Sequence, residues 1–425
     1  MVYWKDSKTS TIMKKKKKIL IVGCGPKALA LCTKAHVLAA LGWAVPEIIV
    51  IEKNEIGAHW SGQHGYTDGK NVLGISPMKD LGYPYDSSFG KKADEAMEAF
   101  SFISFLKETD EFTAWVDGWT QQITHRDLYS YLNWAAKKLG LVPIRGEVTA
   151  LTPNGDGWIV NYTDSSGIEK TIECDAVIAT GPGGVRKTIE IPESKNMFDA
   201  KNFWIEHENI LTAKDQRIAL IGGGISAGSI LEKLLPAFPE SSHIDWYTRR
   251  GIFTRSENFV NNQLFTYPDE WPELSEKVRE QFIQHTDRGS IDPTTHLVMA
   301  RHHKQFSMVL GEPDRVTEDP NGRLRVRYTN NKGTFEHLYD KVIMATGFDN
   351  VSFLNWLPES FKNEHSLVYS EIAVAKRLNT DLSLIGLKQK LHLPMLAWHD
   401  HGIGLSILSC LSILSDKILA SYVTK

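Results

Sequence analysis

The chain has 425 residues, more than one small core can organise, which predicts two or three domains. With 42% hydrophobic residues, 23% charged residues and a formal net charge of −3, it reads as a soluble globular protein. That balance predicts no nucleic-acid or anionic-membrane partner. No apolar run approaches the roughly 20 residues of a membrane span, and "ILIV" after the lysines is too short for a signal-peptide core. The four cysteines, Cys24, Cys32, Cys174 and Cys410, are scattered through apolar contexts. They predict buried thiols in a reducing cytoplasm, with neither a disulfide framework nor a metal site.

The lysine run Lys14–Lys18 reads as a solvated arm, and Met13 could serve as a start with residues 1–12 an extension. The first structured element is an apolar strand, Ile19–Val22, followed by Gly23-x-Gly25-x-x-Ala28 and a helical stretch. The next strand, "EIIVIEK", carries Glu52, 24 residues past Ala28 (28 to 52). This is close to the spacing of about 20 expected for an acid that accepts from a ribose hydroxyl. The glycines allow a tight turn and close approach to a pyrophosphate, and the helix N-terminus offers it free N–H groups. Strand, turn, helix and acid in register predict a dinucleotide site.

After it comes "GYTDGKNVLGISPMKDLGYPYD", Gly65–Asp86, whose Gly, Pro and Asp content predicts a long structured coil. "GEVTALTPNGDGWIVNYTDSSGIEKTIECD" alternates as antiparallel strands with a turn at Asn154–Gly157. A second fingerprint follows, strand Ile218–Ile221 and then Gly222-x-Gly224-x-x-Ala227. Its next strand ends in Arg249 and Arg250 where the first copy ends in Glu52. Arginines there suit the 2′-phosphate of NADPH, as an acid suits a free 2′-hydroxyl. "GRLRVRYTNNKGTFEHLYD" repeats the antiparallel pattern. Two strand ends, "ECDAVIATGPG" and "LYDKVIMATGF", each finish in Ala-Thr-Gly, the second on Gly347, a further cofactor-binding candidate. They predict where the chain leaves and re-enters the first domain.

The expected fold is α/β, with two Rossmann-like dinucleotide-binding domains, the second inserted in the first, and a small substrate region. The expected boundaries are 14–200 for the first part of an FAD domain, 201–340 for an NADPH domain, and 341–425 for the return. FAD with NADPH leaves several chemistries open. The sequence has no C-x-x-C, which argues against a disulfide reductase. Flavin monooxygenases and NADPH-linked quinone or ferredoxin reductases remain.

Several compositionally odd segments then narrow the choice: "VGCGPKALA", "GAHWSGQHGYTDG", "LGISPMKDLGYPY", "THRDLYSYLNWAAKKLGL", "GGGISAGS", "FTRSENFVNNQLF", "TDRG" and "LSCLSILSDK". In these the chain resembles, from Ile19 to about Lys417, the N-hydroxylating flavin monooxygenases of siderophore biosynthesis, and most of all the mycobactin-type lysine N-oxygenases. The resemblance implies an FAD- and NADPH-dependent enzyme that uses O₂ to hydroxylate a primary amine. Lysine, ornithine, putrescine and histamine remain open as substrates. An assembly of copies is common in the family. A Baeyer–Villiger or S-oxygenating enzyme would share the scaffold, but an F-x-G-x-x-x-H-type signature is missing.

Residue roles follow from the same resemblance. Lys79 matches the lysine that pairs with a substrate carboxylate, and Asp80 reads as a turn or cap residue. Gly74 stands where the ornithine enzymes carry a Gln beside the flavin, and Met78 replaces an acidic residue of the mycobactin pattern. Asn258, Asn261 and Asn262 lie where the family places polar side chains around substrate and nicotinamide, with Asn261 the first choice alongside Lys79 in the catalytic centre. Ser256 is expected on the NADPH side. His59 and Trp60 are expected to frame the flavin. His399, Asp400 and His401 are consecutive, so their side chains diverge and predict no metal site. His302 and His303 read as a solvated pair.

Overall fold

The computed structural model describes residues 16–118, 122–212, 215–256 and 258–425. The expected N-terminal extension, and Lys14 and Lys15 of the basic run, lie outside them. Among the described residues no helix is long and apolar enough to cross a membrane.

The first sheet has seven strands. Its centre is Lys18–Val22, whose Ile19, Leu20 and Ile21 are fully buried. Glu47–Glu52 pairs with it in parallel on one side and Ala176–Ala179 on the other, with Lys390–His392 at the far edge. A strand buried on both faces must be covered by helices, which is why these segments read as continuous apolar runs. The covering helices on one side are Pro26–Ala40, His125–Leu139 and the C-terminal Leu411–Leu419. The long strand Ile144–Asn154 pairs in parallel with Glu47–Glu52 at its start, then turns antiparallel to Gly157–Asp164, which pairs with Glu169–Cys174. Burial alternates along Gly157–Asp164, so Trp158, Val160 and Tyr162 point into the core, as the sequence pattern predicts.

The second sheet has five parallel strands in the order Phe306–Leu310, His243–Thr248, Arg217–Ile221, Lys341–Met344, Met197–Asp199. A separate antiparallel sheet of Glu312–Glu318, Leu324–Asn330 and Gly333–Tyr339 packs on it. Met197–Asp199 and Lys341–Met344 both belong to the second sheet, because Val342 and Ile343 are fully buried and need a strand on each side.

The chain crosses between the halves twice, and the crossings touch. The Arg186 N–H donates to the Gly347 carbonyl at 2.9 Å and the Asp349 N–H to the Gly184 carbonyl at 2.8 Å. Both Ala-Thr-Gly ends therefore meet at one hinge. Gly347 serves there, with φ +86°.

A buried ion pair ties the first half together. Lys34, on the Pro26–Ala40 helix, sits 3.0 Å from Asp416 on the C-terminal helix and donates to Ser412 Oγ at 2.8 Å. Asp416 also accepts from Ser87 Oγ and the Ser88 N–H, which anchors the end of the Gly65–Asp86 coil.

Candidate active site

At the first glycine turn, Gly23 has φ +93°, and a Cβ there would stand 2.7 Å from Thr180 Oγ1. Gly25 faces open space, and the helix it opens has no side-chain cap. The N–H groups of that first turn are thus free for an anion. Glu52 accepts from the Cys24 N–H at 2.7 Å and the Asn54 N–H at 2.8 Å. Each carboxylate oxygen keeps a further lone pair for a ribose hydroxyl. These groups line a cleft of about 1010 Å³ that also takes in Trp60, Val148 and Met395. An uncapped helix N-terminus, an acid at the adjacent strand end and this volume fit an FAD. Ala28, expected among the cofactor contacts, is fully buried and packs helix on sheet.

The rings near the turn are held neutral. His59 stacks on Tyr66 at 4.4 Å, and burial, then the charges of His125 and Lys27, push its pKa down to about 3. Trp60 meets His125 edge-on at 4.9 Å. Lys27, one residue into the helix, is pushed down to about 8 by burial, against the opposing charge of Asp287.

The Gly65–Asp86 coil bridges the halves. Asp68 lies 3.0 Å from Lys233, Arg255 donates to the Gly74 carbonyl, and Lys79 Nζ donates to Asn262 Oδ1 at 3.0 Å. Gly74 thus has the Arg255 guanidinium against it; a Cβ there would stand 2.7 Å from Arg255 Nη2. Asp80 organises the coil, as expected of a turn residue: it accepts from the Gly82 and Phe102 N–H groups and from Tyr85 Oη. Burial pushes it up to about 6 despite those bonds. Met78 packs against the core. Lys79 emerges beside the rings of Tyr83 (5.8 Å) and Phe265 (6.0 Å).

The asparagines divide differently from expectation. Asn258 is the N-cap of the helix Phe259–Thr266, accepting from the Asn261 N–H at 2.8 Å. Asn261 Nδ2 donates to the Ser256 carbonyl at 3.0 Å, so Ser256 and Asn261 brace the helix start. Asn262 is the residue that meets Lys79. Helical spacing could have found it, since Asn262, Phe265 and Thr266 share a face, and Thr266 Oγ1 bonds the Asn262 carbonyl (3.0 Å) and Tyr83 Oη (3.1 Å).

The second glycine turn repeats the first. Gly222 has φ +137° and a Cβ there would collide with the Ala345 carbonyl, while Gly224 opens the uncapped helix Ile225–Leu234. Ala227 is fully buried in the core. Gly289 faces Gly224, and Arg250 lies against Gly289 and donates to the Arg288 carbonyl at 3.2 Å. Arg249 turns away to Glu312 at 3.4 Å. Only Arg250 of the expected pair stands beside the turn.

Residues 15–350 match the family model of L-lysine 6-monooxygenase/L-ornithine 5-monooxygenase. The chain belongs to this family. The L-lysine N6-monooxygenase MbtG of Mycobacterium tuberculosis (strain ATCC 25618 / H37Rv) is 33% identical, over 95% of this chain and 94% of that protein. The lysine monooxygenase NbtG of Nocardia farcinica, solved with an unprecedented NADPH domain conformation, superposes with a TM-score of 0.83. It is 30% identical, over 95% of this chain and all of NbtG, 100%. The ornithine N-hydroxylase KtzI of Kutzneria sp. 744 shares the fold at TM-score 0.76 and 19% identity, over 96% of this chain and 99% of KtzI.

In this lysine/ornithine monooxygenase the histidine segment is structural. His399 Nδ1 lies 2.8 Å from Asp400, Asp400 pairs with Arg279 at 3.0 Å, and His401 faces the Leu378 carbonyl at 3.1 Å. The three side chains share no centre. Among the described residues no group of three His, Cys, Asp or Glu side chains could hold a metal ion. His302 and His303 bond locally, to Gln305 and the Ala300 carbonyl. Sequence reasoning missed Arg255, Arg288 and Glu371. Each works through a partner distant in sequence, and no local pattern announces it.

Proposed function

We propose that this chain is a cytoplasmic FAD- and NADPH-dependent monooxygenase that hydroxylates the side-chain amine of lysine for siderophore biosynthesis. The observation that carries the reading is Lys79, held by Asn262 on a coil that spans two uncapped glycine-turn helices. A fixed cation between two dinucleotide sites suits a substrate with a carboxylate at one end and the reacting amine at the other. The MbtG and NbtG relatives favour lysine among such substrates.

FAD when bound supplies the oxygen activation; the chain supplies position, dryness and proton control. Gly25 and the Pro26–Ala40 N-terminus would hold the pyrophosphate, and Glu52 the ribose. Gly224, with Arg250, would hold the NADPH phosphates. An alkylammonium with a pKa near 10.4 is about 99.9% charged at neutral pH and has no lone pair to attack with. A site from which water is excluded would desolvate the amine and favour its neutral form.

The test is product formation with NADPH, O₂ and a panel of lysine, ornithine, putrescine and histamine, beside ketones and thioethers. Hydroxylamine from lysine, coupled to NADPH oxidation, is the expected result. Turnover of ketones alone would overturn it. Faster hydroxylation of putrescine or histamine than of lysine would move the reading to a decarboxylated amine.

A further inference from the structure

Glu371, the first residue of the short helix Glu371–Ala375, is half-buried, its side chain 11% exposed, where four chain segments converge. Its Oε1 accepts from Arg288 Nη1 at 2.6 Å, Trp398 Nε1 at 3.1 Å and Asn350 Nδ2 at 3.2 Å. Its Oε2 accepts from Arg186 Nη2. Arg186 lies on the outgoing crossing between the halves and Asn350 on the returning one. Trp398 belongs to the flavin half, and the Arg288 guanidinium lies over its ring at 4.2 Å. Arg288 belongs to the nicotinamide half. Its carbonyl accepts from Arg250, and the next residue, Gly289, faces Gly224 of the second glycine turn. One carboxylate thus joins the hinge, the flavin half and the loop that lines the second nucleotide site. Burial works to raise its pKa, and the charge and hydrogen bonds of Arg288, aided by Asn350 and Arg186, reverse this and hold it below the usual range.

We propose that Glu371 is a positioning residue for hydride delivery: by clamping Arg288 it fixes the Asp287–Gly289 loop against the second glycine turn and sets how the nicotinamide half faces the flavin half. This rests on the FAD and NADPH reading above. A half-buried carboxylate shared by two arginines is costly to disturb, since removing one partner leaves the others' charge unbalanced. The loop would then lose its register with Gly224, and misplacement by ~1 Å can cost about 100-fold in rate.

The test compares wild type, Glu371→Gln, Arg288→Lys and the double variant as FAD-loaded proteins under anaerobic conditions. Flavin reduction by NADPH is expected to slow roughly 10- to 100-fold in each single variant, and the double variant to be no slower than the worse single one. Reduction by dithionite, which needs no docked nicotinamide, should stay at the wild-type rate. In nucleotide-free protein, hydrogen exchange over residues 285–292 should rise in Glu371→Gln, with Glu371→Asp intermediate. Wild-type reduction rates, losses that multiply in the double variant, or unchanged exchange would each overturn the clamp. A wild-type flavin that NADPH cannot reduce would overturn the functional reading instead, and the exchange measurement would then decide the clamp alone.

Discussion

Lys79 donates to Asn262 Oδ1 and lies beside the rings of Tyr83 and Phe265. A charge-assisted hydrogen bond is worth about 1.5–3 kcal/mol. Lys79→Ala is therefore expected to raise KM for lysine by roughly 10- to 150-fold at that energy, with the KM for putrescine little changed; equal losses for both amines would show that Lys79 only holds the coil. Arg250 and Arg249 separate in the same way. Arg250→Ala should erode the preference for NADPH over NADH, measured by initial rates with each, while Arg249→Ala, whose side chain points to Glu312, should leave it intact. The buried histidines add a pH dependence. His59 is pushed down to about 3 and His125 to about 4, so the folded protein keeps both neutral while the unfolded chain protonates them near 6.5. Their contribution is present above pH 6.5 and is lost as pH falls through the window to about 4. Asp80, pushed up to about 6, opposes this, because its raised pKa favours the fold at low pH and loses that contribution as pH rises from 4 toward 6. Among these three groups the two histidines outweigh the aspartate, so together they weaken the fold on acidification. Urea midpoints of the cofactor-free protein between pH 6.5 and 4.5 check the sign, and His59→Asn should flatten the slope.

The elements that matter are held at their ends. The helix Phe259–Thr266 starts on the Asn258 side chain, and its face of Asn262, Phe265 and Thr266 presents the partner of Lys79. Asn258→Ala should cost about 1 kcal/mol in stability through the lost cap. It should also weaken lysine binding, because Asn262 is placed by the helix and not by its own loop. The C-terminal helix depends on the fully buried Lys34. Lys34→Met would leave Asp416 buried with only hydroxyl and N–H partners, at a cost of about 3–5 kcal/mol in a urea titration. The double change Lys34→Met with Asp416→Leu should recover most of that loss, since a well-packed apolar pair can replace a buried ion pair.

Across the whole molecule, the first nucleotide cleft is assembled from segments far apart in the chain: the first glycine turn, the strand ending at Glu52, Val148 and Met395. A ligand gripped by such distant segments binds the folded state alone. Adding FAD at 100 times its dissociation constant should therefore stabilise the protein by about 2.7 kcal/mol, read as a rise in urea midpoint over the stripped protein. The two halves are joined on two sides, by the Gly65–Asp86 coil and by Glu371 with its arginines. A third contact between them is apolar: Phe265, Trp271 and Ile283 of the second half pack with Trp398 and Ile403 of the C-terminal return in one buried cluster.

The two glycine turns, the acid at Glu52 and the strand periodicities were legible in the sequence because each is local: a turn, a helix start or a buried strand writes its requirement within a few residues. Family membership could be read there too, from odd segments such as "SPMKDLGYPY" and "FTRSENFVNNQLF". Three things were decided only by the tertiary structure. Lys79 meets Asn262, while the Asn261 amide is taken up by Ser256 at the start of the same helix. Lys341–Met344 joins the second sheet because its apolar faces are covered only there. Glu371 gathers Arg186, Arg288, Asn350 and Trp398, the farthest of them 185 residues from it in the chain. Long-range polar contacts of this sort leave no periodic trace, since the free energy that selects them comes from pairing buried charge across the fold.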